Sequence, residues 1–297
     1  MPAYVAPFSS YYNGGGIGSS NIGGNWDSGT ITDSGDDNWT VGEALTDTSG
    51  SGIFFSNGAT YQGTIEVNGT DYPVVEVTLT GAWVVLFDDA TDHAAAPATM
   101  PAPDTSAFTA CFMDGTGIAT ADGEVAVEDL KIGDMILDQN GAEIAVKWIG
   151  TKNVLASFQP AERLMPVRFA AGSLGEGVPY RDLTVTADHA MLVDGVLCQA
   201  SALVNGSSIY RVPLDEMGQR FKVYHVETEA HEIILANGAP AETFIDNVSR
   251  RMFANFAEYE ALYGEEAEME ELPLPRAMSA RQLPSAIRAR LGLSKAA

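Results

Sequence analysis

CFMDGTGIATADGEVAVEDLKIGDMIL, residues 111–137, places a cysteine at the head of short alternating segments broken by turn residues. Asp122-Gly123 reads as a tight turn between two short strands, and Asp134 opens a further apolar strand. The cysteine is one of only two in the chain. It stands directly after a stretch of quite different composition.

That preceding stretch, DHAAAPATMPAPDTSAF (residues 92–108), is rich in Ala and Pro and has no hydrophobic period. Such composition predicts a linker over 93–107. Upstream, TYQGTIEVNGTDYPVVEVTL (60–79) alternates on both sides of Asn68-Gly69, the signature of a hairpin, and GAWVVLFDD (81–89) reads as a buried strand. Residues 1–92 are therefore expected to form a small acidic β domain rich in Gly, Ser and Asp. The loop TDSGDDNW (32–39) is expected to be solvated.

Downstream the β pattern continues. DMILDQNGAEIAVKWIG (134–150) is two strands around Asn140-Gly141. LTVTADHAMLVDGVLCQA (183–200) is strand, break, strand, turn, and RFKVYHVETEAHEIILANG (220–238) gives two strands before an Asn237-Gly238 turn. Residues 108–247 thus read as a second, mostly β module. The tail, 248–297, changes character. Met252, Phe253, Phe256, Tyr259, Leu262 and Tyr263 fall at helical spacing, followed by an acidic linker and the basic, helix-like end SAIRARLGLSKAA.

Charge divides the chain in the same way. The net charge is −24, and 45% of the 297 residues are apolar, enough for a packed core. No Lys or Arg precedes Lys131, whereas residues 1–110 hold thirteen acidic residues. A chain so acidic repels nucleic acid and anionic lipid, so neither is an expected partner. No apolar run reaches the ~18 residues of a membrane span. MPAYVAPFSS lacks the basic and apolar regions of a secretory leader. Together with the Gly/Ser/Asp-rich acidic start and the scarcity of cysteine, this predicts an extracellular protein exported by a leaderless route, with the cytoplasm as the alternative.

Two cysteines do not make a disulfide framework. Cys198, in VLCQA, reads as a core residue, and His93 as an exposed linker residue. Cys111, His189 and His231 are a conceivable zinc set, but no CxxC or HxxxH spacing supports it. The acidic start has neither the EF-hand nor the nonapeptide calcium pattern.

Cys111, Gly115-Thr116, Gly123, Val127–Leu130 and Gly133-Asp134, followed by Thr186-Ala187-Asp188-His189 and a late segment with Val223-Tyr224, Val226, His231 and Ala236–Gly238, resemble the Hint superfamily, the fold of hedgehog autoprocessing domains and inteins. The bacterial intein-like or hedgehog-like branch is the nearer one. The resemblance covers roughly residues 108–245. It implies a Hint-type β fold preceded by the small β domain and followed by a helical tail.

It further implies single-turnover chemistry. Cys111 attacks the carbonyl of Ala110, forming a thioester by N-to-S acyl shift. Thr186 or a main-chain N–H stabilises the oxyanion, and His189 protonates the departing nitrogen. His231 activates the second nucleophile, which is water, a thiol or another small nucleophile. His225 stands where many inteins carry Asp. The substrate is the chain's own N-terminal module, and no metal or organic cofactor is required. Splicing is not expected, because the stretch NGAPAETFIDNVSRR (237–251) has no His-Asn pair and Asn247 precedes Val248. The rival expectation is a secreted surface or adhesion-type protein with an inactive Hint-like scaffold.

Overall fold

The computed structural model describes residues 4–6, 8–13, 20–21, 29–33, 44–47, 59–77, 82–101, 110–155, 165–213, 216–218, 220–245, 249–264 and 269–293. The loop at 34–39, the linker residues 102–107 and Asn247 lie outside them. The protein is mostly β. It divides into two compact units. The first comprises Met1–Ala107 with Asn153–Glu162 and Gly218–Arg220. The second comprises Phe108–Lys152, Arg163–Met217 and Phe221–Ala297.

The first unit holds β1 (Tyr4–Ala6), β2 (Phe8–Asn13), β3 (Ser20–Asn21), β4 (Gly29–Asp33), β5 (Ala44–Asp47), β6 (Ala59–Val67), β7 (Thr70–Val77), β8 (Ala82–Phe87) and α1 (Ala90–Ala94). β6 and β7 form the hairpin that the alternation around Asn68-Gly69 predicts, with Val67 paired to Thr70. The two turn residues have φ of 50° and 78°, the left-handed region that Asn and Gly tolerate. β7 pairs with β8, and β8 with β2. Tyr12, Ile65, Tyr72, Val74, Val85 and Phe87 fill the core.

The chain from 93 to 101 does not behave as a free linker. Met100 is buried in this core, and the Tyr12 hydroxyl donates to the Pro97 carbonyl at 2.8 Å. The Ala/Pro composition marks absence of periodicity, not absence of packing. His93, expected exposed, is half-buried, with Nε2 3.1 Å from the Ser9 carbonyl oxygen. Asp89 caps α1, accepting from the Thr91 and Asp92 amides. Asp92 is buried and accepts from Tyr72 Oη and, at 2.9 Å, from Asn68 Nδ2.

The second unit contains β9 (Phe112–Met113), β10 (Gly117–Thr120), β11 (Gly123–Ala126), β12 (Met135–Leu137), β13 (Glu143–Ala145), β14 (Trp148–Leu155, its last three residues counted with the first unit), β15 (Val167–Phe169), β16 (Leu183–Val185), β17 (Ala190–Val193), β18 (Val196–Gln199), β19 (Ile209–Arg211), β20 (Arg220–Glu227), β21 (Ile233–Ala236), β22 (Ala239–Glu242), α2 (Phe256–Tyr263), β23 (Arg276–Ala277) and α3 (Ser285–Arg290). Each predicted turn joins a hairpin: β10–β11, β12–β13 and, through Asn237-Gly238, β21–β22. One sheet runs β11-β10-β21-β22-β17-β18-β23, and in another β20, β9, β16, β15 and β19 are neighbours. Phe112, Ile118, Val167, Phe169, Met191, Cys198 and Ile234 belong to the core of this unit.

The tail is part of this unit. The helical period at 252–263 is realised only from Phe256, because Arg250–Met252 is a 3-10 turn that breaks the run. Phe253 and Tyr259 pack edge-on against Trp148, at 5.6 and 5.3 Å between ring centroids. Arg250 is fully buried between Phe244 and Tyr259 and makes a bidentate pair with Glu227, at 2.7 and 3.0 Å. Further on, β23 pairs in parallel with β18, and Leu283, Ile287 and Leu291 enter the core.

Candidate active site

Three short strands build the site. β9 lies between β16 and β20, with Phe112 opposite Val185 on one side and Tyr224 on the other. Both pairings are antiparallel. One step back along β9, Cys111 therefore comes level with Thr186 and with His225, residues 75 and 114 positions away in the chain. Because a one-residue slip would turn every side chain to the opposite face, this register alone determines what flanks the cysteine.

Cys111 is buried and free of disulfide. Its amide N–H donates to Thr186 Oγ1 at 2.7 Å, and the Thr186 amide returns a bond to the Cys111 carbonyl at 2.9 Å. The Thr186 hydroxyl thus stands where a ladder carbonyl would otherwise accept. Its own proton points toward the Cys111 carbonyl, 3.4 Å away. The role expected for Thr186 was at the Ala110 oxyanion. The geometry puts it instead on the nitrogen of the Ala110–Cys111 bond.

On the other side, His225 Nδ1 is 3.7 Å from Cys111 Sγ, within hydrogen-bond range for sulfur. The His225 ring stands edge-on to Phe244 at 4.7 Å and packs on Phe253 at 5.4 Å. Burial, reinforced by the neighbouring His189, pushes it down to about 3, while the Ala110 main chain pulls the other way. At neutral pH it is an uncharged imidazole.

His189 follows Thr186 through a tight turn, its amide donating to the Thr186 carbonyl at 3.1 Å. Its ring packs on Phe112 at 4.3 Å. Burial pushes it down to about 4, with Glu242 and the main chain of Cys111 opposing. Neither ring nitrogen has a well-aligned hydrogen-bond partner among the described residues. Positive charge on His189 disfavours positive charge on His225.

His231 is placed differently. Its Nδ1 accepts from the Leu272 amide at 3.1 Å, and its Nε2 lies 3.3 Å from Glu242 Oε2. Its polar contacts thus run to Glu242 and to the tail. Cys198 is a core thiol pushed up to about 11 by burial. No group of three or more His, Cys, Asp or Glu among the described residues is arranged to hold a metal. His225 could not be singled out from the strand pattern, since Val223–Glu227 is buried on both faces and carries no alternation.

Residues 110–248 match the protein family described as Hint domain. This part of the chain is similar to that family and has a Hint-type β fold. Among solved structures, the bacterial intein-like domain from Clostridium thermocellum is similar at 18% identity, with 46% of this chain and 100% of that one covered and a TM-score of 0.34. A DnaB intein from Synechocystis sp. PCC 6803 is similar at 16% identity, with 46% and 100% covered and a TM-score of 0.32. The MchDnaB-1 intein carrying N145AA is similar at 19% identity, with 45% and 99% covered and a TM-score of 0.33. No curated protein matches the chain.

Proposed function

We propose that the chain cleaves itself between Ala110 and Cys111 without splicing, through a thioester on Cys111, and so releases or transfers residues 1–110. The observation that carries this reading is the placement of the scissile nitrogen on Thr186 Oγ1, with the thiol beside His225 Nδ1. As Sγ bonds to the Ala110 carbonyl carbon, its proton passes to neutral His225. The C–N bond then breaks, and one proton must reach the Cys111 nitrogen. His189, beside the Cys111 main chain, relays it. The proton gained by nitrogen balances the one lost by sulfur, so both rings end the step neutral. Thr186 holds the nitrogen in place as it changes from amide to amine. Water or a thiol then opens the thioester. Export from the cell remains the proposed setting.

The test is incubation of the full chain with and without dithiothreitol, followed by denaturing electrophoresis and intact mass. Denaturation matters because the first unit also includes residues 153–162 and 218–220. A fragment ending at Ala110, absent from Cys111→Ala, supports the reading. Wild type and variant equally intact would leave the Hint domain as a scaffold in a surface or adhesion-type protein.

A further inference from the structure

Glu242, the last residue of β22, is 2% exposed, yet its carboxylate is fully engaged. Oε1 accepts from the Ala190 amide at 2.9 Å and from Arg276 Nη1 at 3.3 Å. Oε2 accepts from Arg276 Nη2 at 2.9 Å and lies 3.3 Å from His231 Nε2. A buried carboxylate persists only when partners satisfy it, and these do. Two of them depend on the tail. Arg276 comes from β23, and the Leu272 amide donates to His231 Nδ1, which leaves Nε2 as the ring nitrogen on the side of Glu242. Ala190 immediately follows His189, so the carboxylate holds the main chain one peptide from that imidazole.

We propose that Glu242, anchored by Arg276 of the tail and by His231, is a positioning residue that sets the place and proton affinity of His189 for self-cleavage. This rests on the cleavage reading above. His231, which the family resemblance assigned to the second nucleophile, serves here as a support of Glu242. The electrostatics agree with the geometry. Glu242 is held down to about 2 by His231 and Arg276, despite a burial that opposes ionisation, and its charge favours protonation of both His189 and His225. The other charged groups acting on the two rings are Arg276 on His189, and Arg250 and His189 on His225. An ionised carboxylate at this place keeps the pair able to accept the thiol proton. A tail that unfolds removes Arg276 and the Leu272 contact together, so cleavage competence is tied to the folding of residues 269–277.

Two variants of the full chain test this, because the two charges act on His189 in opposite senses. Imidazole titration by NMR is read in the non-cleaving Cys111→Ala chain, and thiol-induced cleavage is read in the chain that keeps Cys111. Glu242→Gln is expected to move the His189 midpoint down by about one pH unit and to slow cleavage roughly tenfold or more. Arg276→Gln, which keeps the carboxylate, is expected to move the midpoint up. If both variants lower melting temperature yet leave the His189 midpoint and the rate per folded molecule unchanged, Glu242 is only a structural staple and the proposal fails. Midpoint shifts in the same direction overturn it equally. If the wild type stays intact with thiol, the cleavage reading falls, while the titration still decides whether Glu242 governs His189.

Discussion

Cys111 Sγ and His225 Nδ1 face each other at 3.7 Å across the pairing of β9 with β20, while Thr186 holds the amide of the same cysteine from β16. The thiol and the amide nitrogen of Cys111 are therefore served from opposite neighbours of one short strand. That division allows the two to be tested separately.

Replacing His225 removes the base nearest the thiol. His225→Gln is expected to slow thiol-induced cleavage roughly 100- to 10,000-fold. The ring packs between Phe244 and Phe253, so some loss of stability accompanies it. Rates should be compared at a temperature where circular dichroism shows both proteins folded. A variant as fast as wild type would remove His225 from the mechanism.

Thr186 is read from the nitrogen side. Thr186→Val keeps the shape but leaves the buried Cys111 N–H without its acceptor, which costs about 1–3 kcal/mol. Thr186→Ser retains the oxygen and should recover most of that loss. Urea denaturation of both in the Cys111→Ala background measures it without interference from cleavage. Equal stability of the Val and Ser variants would mean that the 2.7 Å bond contributes nothing.

Acid should weaken the second unit in a defined window. His189 is held at about 4 and His225 at about 3, both below the ordinary 6.5 of imidazole. Below pH 6.5 the unfolded chain takes up protons that the folded chain refuses. Stability is thus fully present above pH 6.5 and is lost as pH falls toward 4 and 3, at up to about 1.4 kcal/mol per pH unit for each ring. Glu242, held at about 2 against its usual 4.5, adds a further loss below pH 4.5. The urea midpoint of Cys111→Ala should be flat from pH 8 to 7 and decline from about 6.5 downward. A midpoint that rose between pH 7 and 5 would falsify the buried, neutral state of these rings.

Arg250 and Glu227 are both fully buried, with Lys147 3.2 Å from the same carboxylate. Arg250→Ala removes the bidentate partner and leaves Glu227 with Lys147 alone, and is expected to destabilise the second unit by up to about 3–5 kcal/mol. The double variant Glu227→Leu/Arg250→Met leaves no buried charge and should be distinctly more stable than the single one. Guanidinium denaturation followed by far-UV circular dichroism checks the order.

Local chemistry made much of the architecture legible. Asn68-Gly69 and Asn237-Gly238 announce hairpins because few other residue pairs tolerate left-handed backbone at both positions, and both turns are found. Thr186-Ala187-Asp188-His189 reads as a unit because its residues are joined by one turn. The helical period of 252–263 was legible but overestimated, since a 3-10 turn at Arg250–Met252 delays the helix to Phe256. His225 was noticed where many inteins carry Asp but was given no catalytic role, because its strand, buried on both faces, shows no alternation to set it apart. Glu242 left no mark: an acidic residue ending a strand looks solvated until Arg276, thirty-four residues later, is seen beside it.

Composition, turn residues and the short blocks around Cys111 and Thr186–His189 were enough to define a mostly β chain with a Hint-type second half, because each of these depends on neighbours a few residues apart. Which groups meet at the thiol was decided elsewhere. Strand register across separations of 75 and 114 residues brought Thr186 and His225 to Cys111, and the packing of a distant tail took His231 into the Glu242 network. Register and packing arise from the sum of many weak contacts over the whole second unit, and no short window of residues contains that sum.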